Sequence, residues 1–420
     1  MLTAFQPYPN MEIHPILLGG AVVASSALAV GFTRPSSISR QAVAPILTFC
    51  TFRCIATSMD YMIRCPWAGL VGAYTITFFL HYLDIVLLRG WSFEAGGPST
   101  DPGTGKNIPN YPKKGRTDNT WERLKFGLAA TCSFRHIGTP YQVRNVPWFS
   151  DKDPEYVPSR SRFLIWTAFL YAACYLFLDL ITFKVDIDTN LKYFTQKNVP
   201  FFTRLPNISG DEIVMRVINT IISGLIMICV QRSFYSLFGF LSVLLGISEP
   251  REWPPYFGSL SQAFTLRRTW AVFWQQTNAA KFASVSSFIV QRVLRISRGT
   301  QLYRYARLVT IFAVSALMHV LVDVASGLSL TSSGAARFFL TQAFGIIIED
   351  IVVSIYYNFM VKDRSRGSYL LEKCVGFVWV CAFMIWSSPA YVYPLMYRVN
   401  SGQDDSIIPF SIIKMLIPDR

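Results

Sequence analysis

One histidine, His319, lies in a stretch of sequence apolar enough to cross a membrane. The stretch runs from residue 307 to residue 323. An imidazole in hydrocarbon costs free energy unless it is paired, so a histidine here indicates a functional site by default. Its neutral form can accept a proton near pH 7. The position therefore predicts a general base, and the alternative is a histidine that only hydrogen-bonds to a neighbouring helix.

A second candidate group is a row of four polar residues that follows an aromatic-rich segment. The row is Gln275, Gln276, Thr277 and Asn278. Amide and hydroxyl groups can donate hydrogen bonds to negative charge that develops on a carbonyl oxygen. The alternative for each residue singly is ordinary polar helix or loop surface.

Further ionisable residues lie in or beside apolar runs. Asp323 follows His319 by four residues, so both face one side of a helix, and Asp323 is predicted to orient His319 or to satisfy the end of the span. His81 is interpreted as structural. The other intramembrane acids are predicted to pair with nearby polar groups rather than to react, and they are Asp84, Asp179, Glu349 and Asp350.

The composition indicates which elements must position these residues. The chain is 52% hydrophobic and 15% charged, whereas soluble proteins carry about a quarter charged residues. We therefore expect an all-α polytopic membrane protein in which residues 1–420 form one integral-membrane domain. About eight transmembrane helices are predicted, at 13–32, 41–58, 66–88, 162–183, 212–231, 305–326, 335–357 and 369–391. The short apolar run 234–246 is predicted to be a re-entrant or interfacial piece, or the second half of a tight hairpin.

The distribution of basic residues predicts the topology. The loops 91–160 and 249–304 are rich in lysine and arginine and are expected in the cytosol. The segment of about 185–210, which lies between these loops, is then lumenal, and it contains the acceptor sequon at Asn207, a glycosylation candidate. Within the first loop, the segment 121–130 is predicted to be either an amphipathic helix on the membrane surface or a loop helix packed on the protein.

The distribution of charge argues against a nucleic-acid-binding protein, and the spacing of cysteine and histidine argues against a metal site. The net charge is +14, but the basic residues flank membrane spans and form no nucleic-acid-binding motif, so the expected partner is the lipid bilayer and not nucleic acid. The eight cysteines and four histidines have no metal-site spacing, so no metal is predicted. The sequence does not indicate an oligomeric state.

Several segments, taken in order, resemble the membrane-bound O-acyltransferase superfamily in its wax synthase-like branch. The resemblance rests on Trp253-Pro-Pro-Tyr-Phe257, on the segment from Thr265 to Gln275 and on Ser315-Ala-Leu-Met-His319. Two further segments agree, Arg135-His-Ile-Gly-Thr-Pro-Tyr141 and the run from Gln342 to Asp350. The resemblance covers residues 135–350. One departure is Gln275, which stands where many fungal members have histidine and which cannot titrate.

The resemblance implies an enzyme of the endoplasmic reticulum that moves an acyl group from acyl-CoA to a hydrophobic alcohol. The span 305–326 would carry the base His319, and no bound cofactor is implied. Trp270 and Trp274 join the four polar residues as substrate or oxyanion candidates. Arg267 and Arg268 are predicted to hold phosphates of the CoA, since guanidinium groups make planar bidentate contacts, and the alternative is membrane-flanking charge.

The resemblance favours fungal enzymes that acetylate terpenoid, meroterpenoid or other secondary metabolites, with acetyl-CoA as the co-substrate. One alternative is a wax ester synthase that acylates long-chain alcohols. A proton-coupled transporter would use His319, Asp323 and Glu349 as a relay, but no inverted halves are visible in the sequence. A catalytically inactive scaffold is the third alternative, and Gln275 favours it slightly.

Overall fold

The computed structural model describes residues 13–109, 118–183, 186–359, 366–399 and 406–416. These ranges contain no β-strand, only two isolated β-bridges. Eight of their helices are long and apolar enough to cross a membrane, which confirms the predicted all-α polytopic fold. The helices are α1 Pro15–Phe32, α2 Ile38–Met62, α3 Cys65–Tyr82, α4 Thr120–Cys132, α5 Arg160–Thr182, α6 Ile187–Tyr193, α7 Gly210–Leu244, α8 Leu266–Arg268, α9 Ala279–Phe288, α10 Gln301–Ala325, α11 Ala335–Phe359, α12 Arg366–Ser387, α13 Pro389–Val399 and α14 Ile412–Leu416.

The prediction for residues 234–246 is wrong. Helix α7 is continuous over 35 residues, and it includes both the predicted span 212–231 and most of this run. No proline interrupts the helix, so nothing forces a turn after residue 231. At 1.5 Å per residue, the helix is about 52 Å long and exceeds a hydrocarbon core of about 30 Å. It is therefore long enough to cross such a core once and to extend beyond it.

One compact unit consists of residues up to Cys132 together with Leu321–Gly327. Within it, Arg40 of α2 links the end of α1 to the segment that follows α3, and this residue is 2% exposed. The guanidinium donates to the carbonyl oxygens of Ala29, Thr33, Val86 and Trp91 at 2.8–3.2 Å. Because a buried charge is tolerated only with such partners, we interpret Arg40 as structural. His81, also predicted to be structural, is buried with Nε2 3.1 Å from the carbonyl oxygen of Ala130.

Helix α4 confirms the helix predicted at 121–130, and it packs on α1. A Cβ atom added at Gly127 would lie 2.1 Å from the carbonyl oxygen of Ala27, and one added at Gly31 would lie 2.5 Å from that of Arg123. Such close backbone contact favours the loop helix packed on the protein over a helix held by the membrane surface alone.

The other unit contains Ser133–Val320 and Leu328–Arg420. Its hydrophobic core is formed by α8, α10, α11 and α12, with Leu266, Phe312, Phe339 and Ile346 among the buried residues. Burial of such side chains contributes roughly 1.5–3 kcal/mol each. This core holds Leu266 of the short helix α8 against the span that carries His319.

The topology stays a prediction. Asn207 is exposed and lies at the end of a 3-10 helix, three residues before α7 begins. Three basic residues of the loop 91–160 lie outside the described residues, namely Lys113, Lys114 and Arg116.

Candidate functional site

His319 lies on α10 with one ring nitrogen fixed by the backbone. Its Nδ1 atom is 2.7 Å from the carbonyl oxygen of Ser315. A carbonyl oxygen only accepts hydrogen bonds, so Nδ1 must carry the proton and Nε2 must carry the lone pair. The ring is stacked on Phe339, with 4.1 Å between centroids, and meets the edge of Tyr391 at 5.9 Å. The geometry thus provides an oriented imidazole whose Nε2 can accept a proton.

The hydrogen bond to Ser315 bears on the role predicted for Asp323. Asp323 is 1% exposed and follows His319 on α10. The proton on Nδ1 is already held by the Ser315 carbonyl group, which performs the orienting function without a carboxylate. The orienting role of Asp323 stays a prediction.

The segment that precedes the four polar residues is held at its start by Glu349. The carboxylate accepts hydrogen bonds from the backbone nitrogen of Leu266 at 2.6 Å and of Arg267 at 3.3 Å. It also accepts one from Trp379 Nε1 at 3.1 Å. A carboxylate stabilises the free N–H groups at the start of a helix. Glu349 therefore anchors the beginning of α8 to α11, in agreement with its predicted structural role.

Trp270 connects this segment to the surroundings of His319. It lies in a π-helical turn, Thr269–Phe273, a conformation that often occurs at functional sites. Its ring contacts Phe339, the residue stacked on His319, with 6.1 Å between centroids. Its Nε1 atom donates to Gln342 at 3.3 Å. Trp270 thus packs in the same aromatic cluster as His319.

Trp274 faces the segment Trp253–Phe257. Its ring meets Phe257 at 5.4 Å and Trp270 at 5.9 Å. Gly258 donates from its backbone nitrogen to the carbonyl oxygen of Phe273 at 2.9 Å. A Cβ atom at Gly258 would lie 2.2 Å from the carbonyl oxygen of Val272, so the contact requires glycine. The two motif segments are therefore packed backbone against backbone.

Two of the four polar residues have amide groups placed to donate. Gln275 Oε1 accepts from the backbone nitrogen of Thr277 at 2.6 Å, which fixes the side chain by its oxygen. Asn278 Nδ2 lies 3.5 Å from the sulfur of Met318, which directly precedes His319 in the sequence. Sulfur is a weak acceptor, so this amide can exchange it for a stronger one.

The other two polar residues are engaged differently. Gln276 is 3% exposed and donates from Nε2 to the carbonyl oxygens of Trp274 and Val272, at 3.0 and 3.4 Å. Thr277 donates from its hydroxyl group to Tyr256 at 2.9 Å. Burial raises the pKa of Tyr256, so its phenol stays protonated. Gln276 and Thr277 therefore have less donor capacity free than Gln275 and Asn278.

The two arginines predicted to bind phosphate differ in their surroundings. Arg267 forms a two-point contact with Asp350, at 3.2 Å through Nε and 2.6 Å through Nη2, and Asp350 also pairs with Arg304 at 2.9 Å. Arg268 instead donates to Gln262 and lies 4.8 Å from the ring centroid of Phe264. Arg267 thus shares a carboxylate with Arg304, whereas Arg268 has only neutral partners among these contacts.

Two cationic residues that sequence reasoning did not assign to the site stabilise it. Lys281 is completely buried, donates to the carbonyl oxygen of Thr277 at 2.6 Å and lies 4.0 Å from the centroid of Phe134. Arg135 is 5% exposed and donates to the carbonyl oxygens of Pro254 and Pro255, each at 2.9 Å. The sequence indicated Arg135 through its position in a motif segment. It indicated Lys281 only as a lone cation in a mostly apolar helix.

Comparison with known proteins identifies relatives along most of the chain. A family described as "Membrane bound O-acyl transferase family" matches residues 253–341. An acetyltransferase of Calcarisporium arbuscula is 30% identical over 382 residues, which are 89% of this chain and 91% of that protein. An acetyltransferase of Aspergillus terreus is 36% identical over 285 residues, 66% of this chain and 91% of that protein. One of Humicola fuscoatra is 28% identical over 409 residues, 92% and 96% of the two chains. No solved structure matches the chain.

Proposed function

Because the chain belongs to the membrane bound O-acyl transferase family and is an acyltransferase, we propose that it moves an acetyl group from acetyl-CoA to a hydroxyl group of a terpenoid or meroterpenoid alcohol. The names of the relatives support acetyl as the acyl group. The acceptor class and a location in the endoplasmic reticulum rest on the motif resemblance. Family membership supports an enzyme over the transporter alternative, and the acetyltransferase names of the relatives support it over an inactive scaffold.

The observation that carries the proposal is the fixed tautomer of His319. With Nδ1–H held by Ser315, the lone pair of Nε2 takes the proton of the acceptor hydroxyl group. The hydroxyl oxygen then attacks the carbonyl carbon of the thioester, and the carbon–sulfur bond breaks. The CoA thiolate leaves and recovers the proton from the His319 imidazolium. Every proton and electron pair is thereby accounted for.

Negative charge on the carbonyl oxygen needs donors while the new bond forms. We assign this role to Asn278 Nδ2, whose present partner is the weakly accepting sulfur of Met318. The side-chain amide of Gln275 is the second candidate, because its oxygen is fixed and its nitrogen is left to donate. Removal of one such donor costs about 10²–10³ in kcat in enzymes with an oxyanion hole.

Expression of the chain in microsomes tests the function directly. Labelled acetyl-CoA and labelled palmitoyl-CoA would each be supplied with a panel of terpenoid alcohols and with a long-chain alcohol. We expect a labelled acetate ester of a terpenoid alcohol. Preferential formation of a palmitoyl ester of the long-chain alcohol would contradict the proposal and support the wax ester alternative.

The two arginines of α8 should respond differently to substitution. We assign the CoA phosphates to Arg268, together with Lys373, whose Nζ lies 5.1 Å from the same Phe264 ring. Arg268→Ala is expected to raise KM by a similar factor for acetyl-CoA and for longer acyl-CoA, because the phosphates are common to all of them. Arg267→Ala removes a partner of Asp350 and should chiefly lower thermal stability.

Steady-state kinetics and thermal unfolding in detergent separate the two effects. Arg304→Ala, which removes the other partner of Asp350, is the matched control for Arg267→Ala. An unchanged KM in a folded Arg268→Ala variant would remove Arg268 from the CoA site.

A further inference from the structure

The polar row contains two buried carbonyl oxygens, Gln276 Oε1 and Asn278 Oδ1, that have no hydrogen-bond partner within the described residues. A buried acceptor without a partner costs about 1–3 kcal/mol. Such groups are few in native proteins, and each one requires an explanation. Here two unsatisfied oxygens lie two residues apart, and Asn278 contacts Met318 of α10, the helix that carries His319. This arrangement indicates a ligand rather than a packing defect.

The direction of the Gln276 amide is determined by its neighbours. Its Nε2 atom faces the carbonyl oxygens of Trp274 and Val272. A flipped amide would place an oxygen against two other oxygens, which no hydrogen bond allows. The oxygen of Gln276 is therefore the free end, and this side chain can accept a hydrogen bond but has little left to donate.

The Asn278 amide is oriented in the same way as that of Gln276, with its nitrogen donating and its oxygen free. Its nitrogen faces the Met318 sulfur, and its oxygen is the unsatisfied atom. Both oxygens thus require a ligand that brings hydrogen-bond donors. This requirement differs from that of an oxyanion, which needs donors from the protein.

The chemistry of acyl transfer limits which donors are present. The acceptor alcohol brings one hydroxyl proton to the reaction, and His319 takes it. The thioester carbonyl and sulfur have no N–H or O–H bond. The pantetheine arm of acyl-CoA carries secondary amides, and the nearer one is separated from the sulfur by a short ethylene link. Within the acyl donor, the N–H group of this nearer amide is the hydrogen-bond donor closest to the reacting atoms.

We propose that Gln276 Oε1, together with Asn278 Oδ1, accepts hydrogen bonds from the pantetheine amide N–H groups of acyl-CoA. The inference rests on the proposed function, and it assigns these oxygens to recognition of the donor. A site built to accept an N–H group rejects an analogue that lacks it, because the buried oxygens then stay unpaired.

The test compares two short acetyl donors in microsomes that contain the full chain. One is S-acetyl-N-acetylcysteamine, which keeps the nearer amide N–H group, and the other is its N-methyl derivative, which lacks it. For the wild type, kcat/KM is expected to be roughly tenfold or more higher for the first donor. Gln276→Leu should reduce this ratio towards one and raise KM for acetyl-CoA about tenfold, with less effect on kcat.

A matched control is Gln231→Leu, which removes the same side chain from α7, where Oε1 is also unsatisfied. This variant should keep the wild-type ratio. Because each ratio is measured within one variant, differences in expression cancel. The wild-type comparison does not depend on the folding of any variant.

The outcomes separate this inference from the proposed function. Transfer from acetyl-CoA with equal kcat/KM for the two short donors would overturn the inference alone. A wild-type ratio in Gln276→Leu would likewise overturn the inference and leave the proposed function intact. If neither short donor is used, an unchanged KM for acetyl-CoA in Gln276→Leu would also overturn it. Failure of acetyl transfer from every donor, acetyl-CoA included, would instead remove the proposed function.

Discussion

Substitution of His319 by alanine is expected to lower the rate of acyl transfer by about 10²–10⁴, the usual contribution of a general base. The variant loses Nε2, the proposed acceptor of the proton from the hydroxyl group. It should still insert into the membrane, because α10 keeps its apolar length. Initial rates of ester formation, normalised to the amount of inserted protein, measure the effect.

Two further variants distinguish a chemical role from a structural one. His319→Gln keeps a polar side chain but cannot take up a proton, so its activity should fall as far as that of the alanine variant. His14→Ala removes a histidine from the first unit, at the start of α1, and should leave the rate unchanged. Turnover near the wild-type rate in His319→Gln would show that residue 319 is not the base.

The membrane spans could be predicted from the sequence because an apolar run of about 20 residues is a local property. The error at 234–246 arose because the same local criterion was applied to this run in isolation. The run is short if it is considered alone, but it continues a helix that nothing interrupts after residue 231. Its assignment depended on the absence of a helix breaker, which hydropathy does not measure.

The candidate site could be predicted in part. His319 became a candidate because a lone imidazole in an apolar run is costly, and the structure places it against Phe339 and Tyr391. The pairing of Arg267 with Asp350 could not be predicted, because it joins residues 83 positions apart. Nor could the sequence show which end of the Gln276 amide is free, since that depends on two backbone carbonyl groups in a π-helical turn and the residue after it.

The second large effect is expected at Arg135, which lies far from His319 in sequence but fixes the segment that packs on Trp274. Its guanidinium group donates to Pro254, Pro255 and the hydroxyl group of Tyr235, and it lies 5.1 Å from the centroid of the Tyr235 ring. Hydrogen bonds to charged groups contribute about 1.5–3 kcal/mol each, and a buried acceptor left unpaired adds a penalty. Arg135→Leu should therefore lower the free energy of unfolding by about 3–5 kcal/mol.

Activity should fall with stability in this variant, because the Trp253–Phe257 segment positions Trp274 through Phe257. Arg135→Lys keeps the charge but not the planar guanidinium group with its several donors, so intermediate losses of stability and activity are expected. Thermal unfolding in detergent and kcat/KM for acyl transfer are the measurements. Arg160→Leu is the control, since exposed Arg160 donates one hydrogen bond, at 3.0 Å, to the carbonyl oxygen of Leu244. This substitution should change the free energy of unfolding by no more than about 0.5 kcal/mol. If Arg135→Leu unfolds and reacts like this control, the guanidinium group has no part in positioning the Trp253–Phe257 segment.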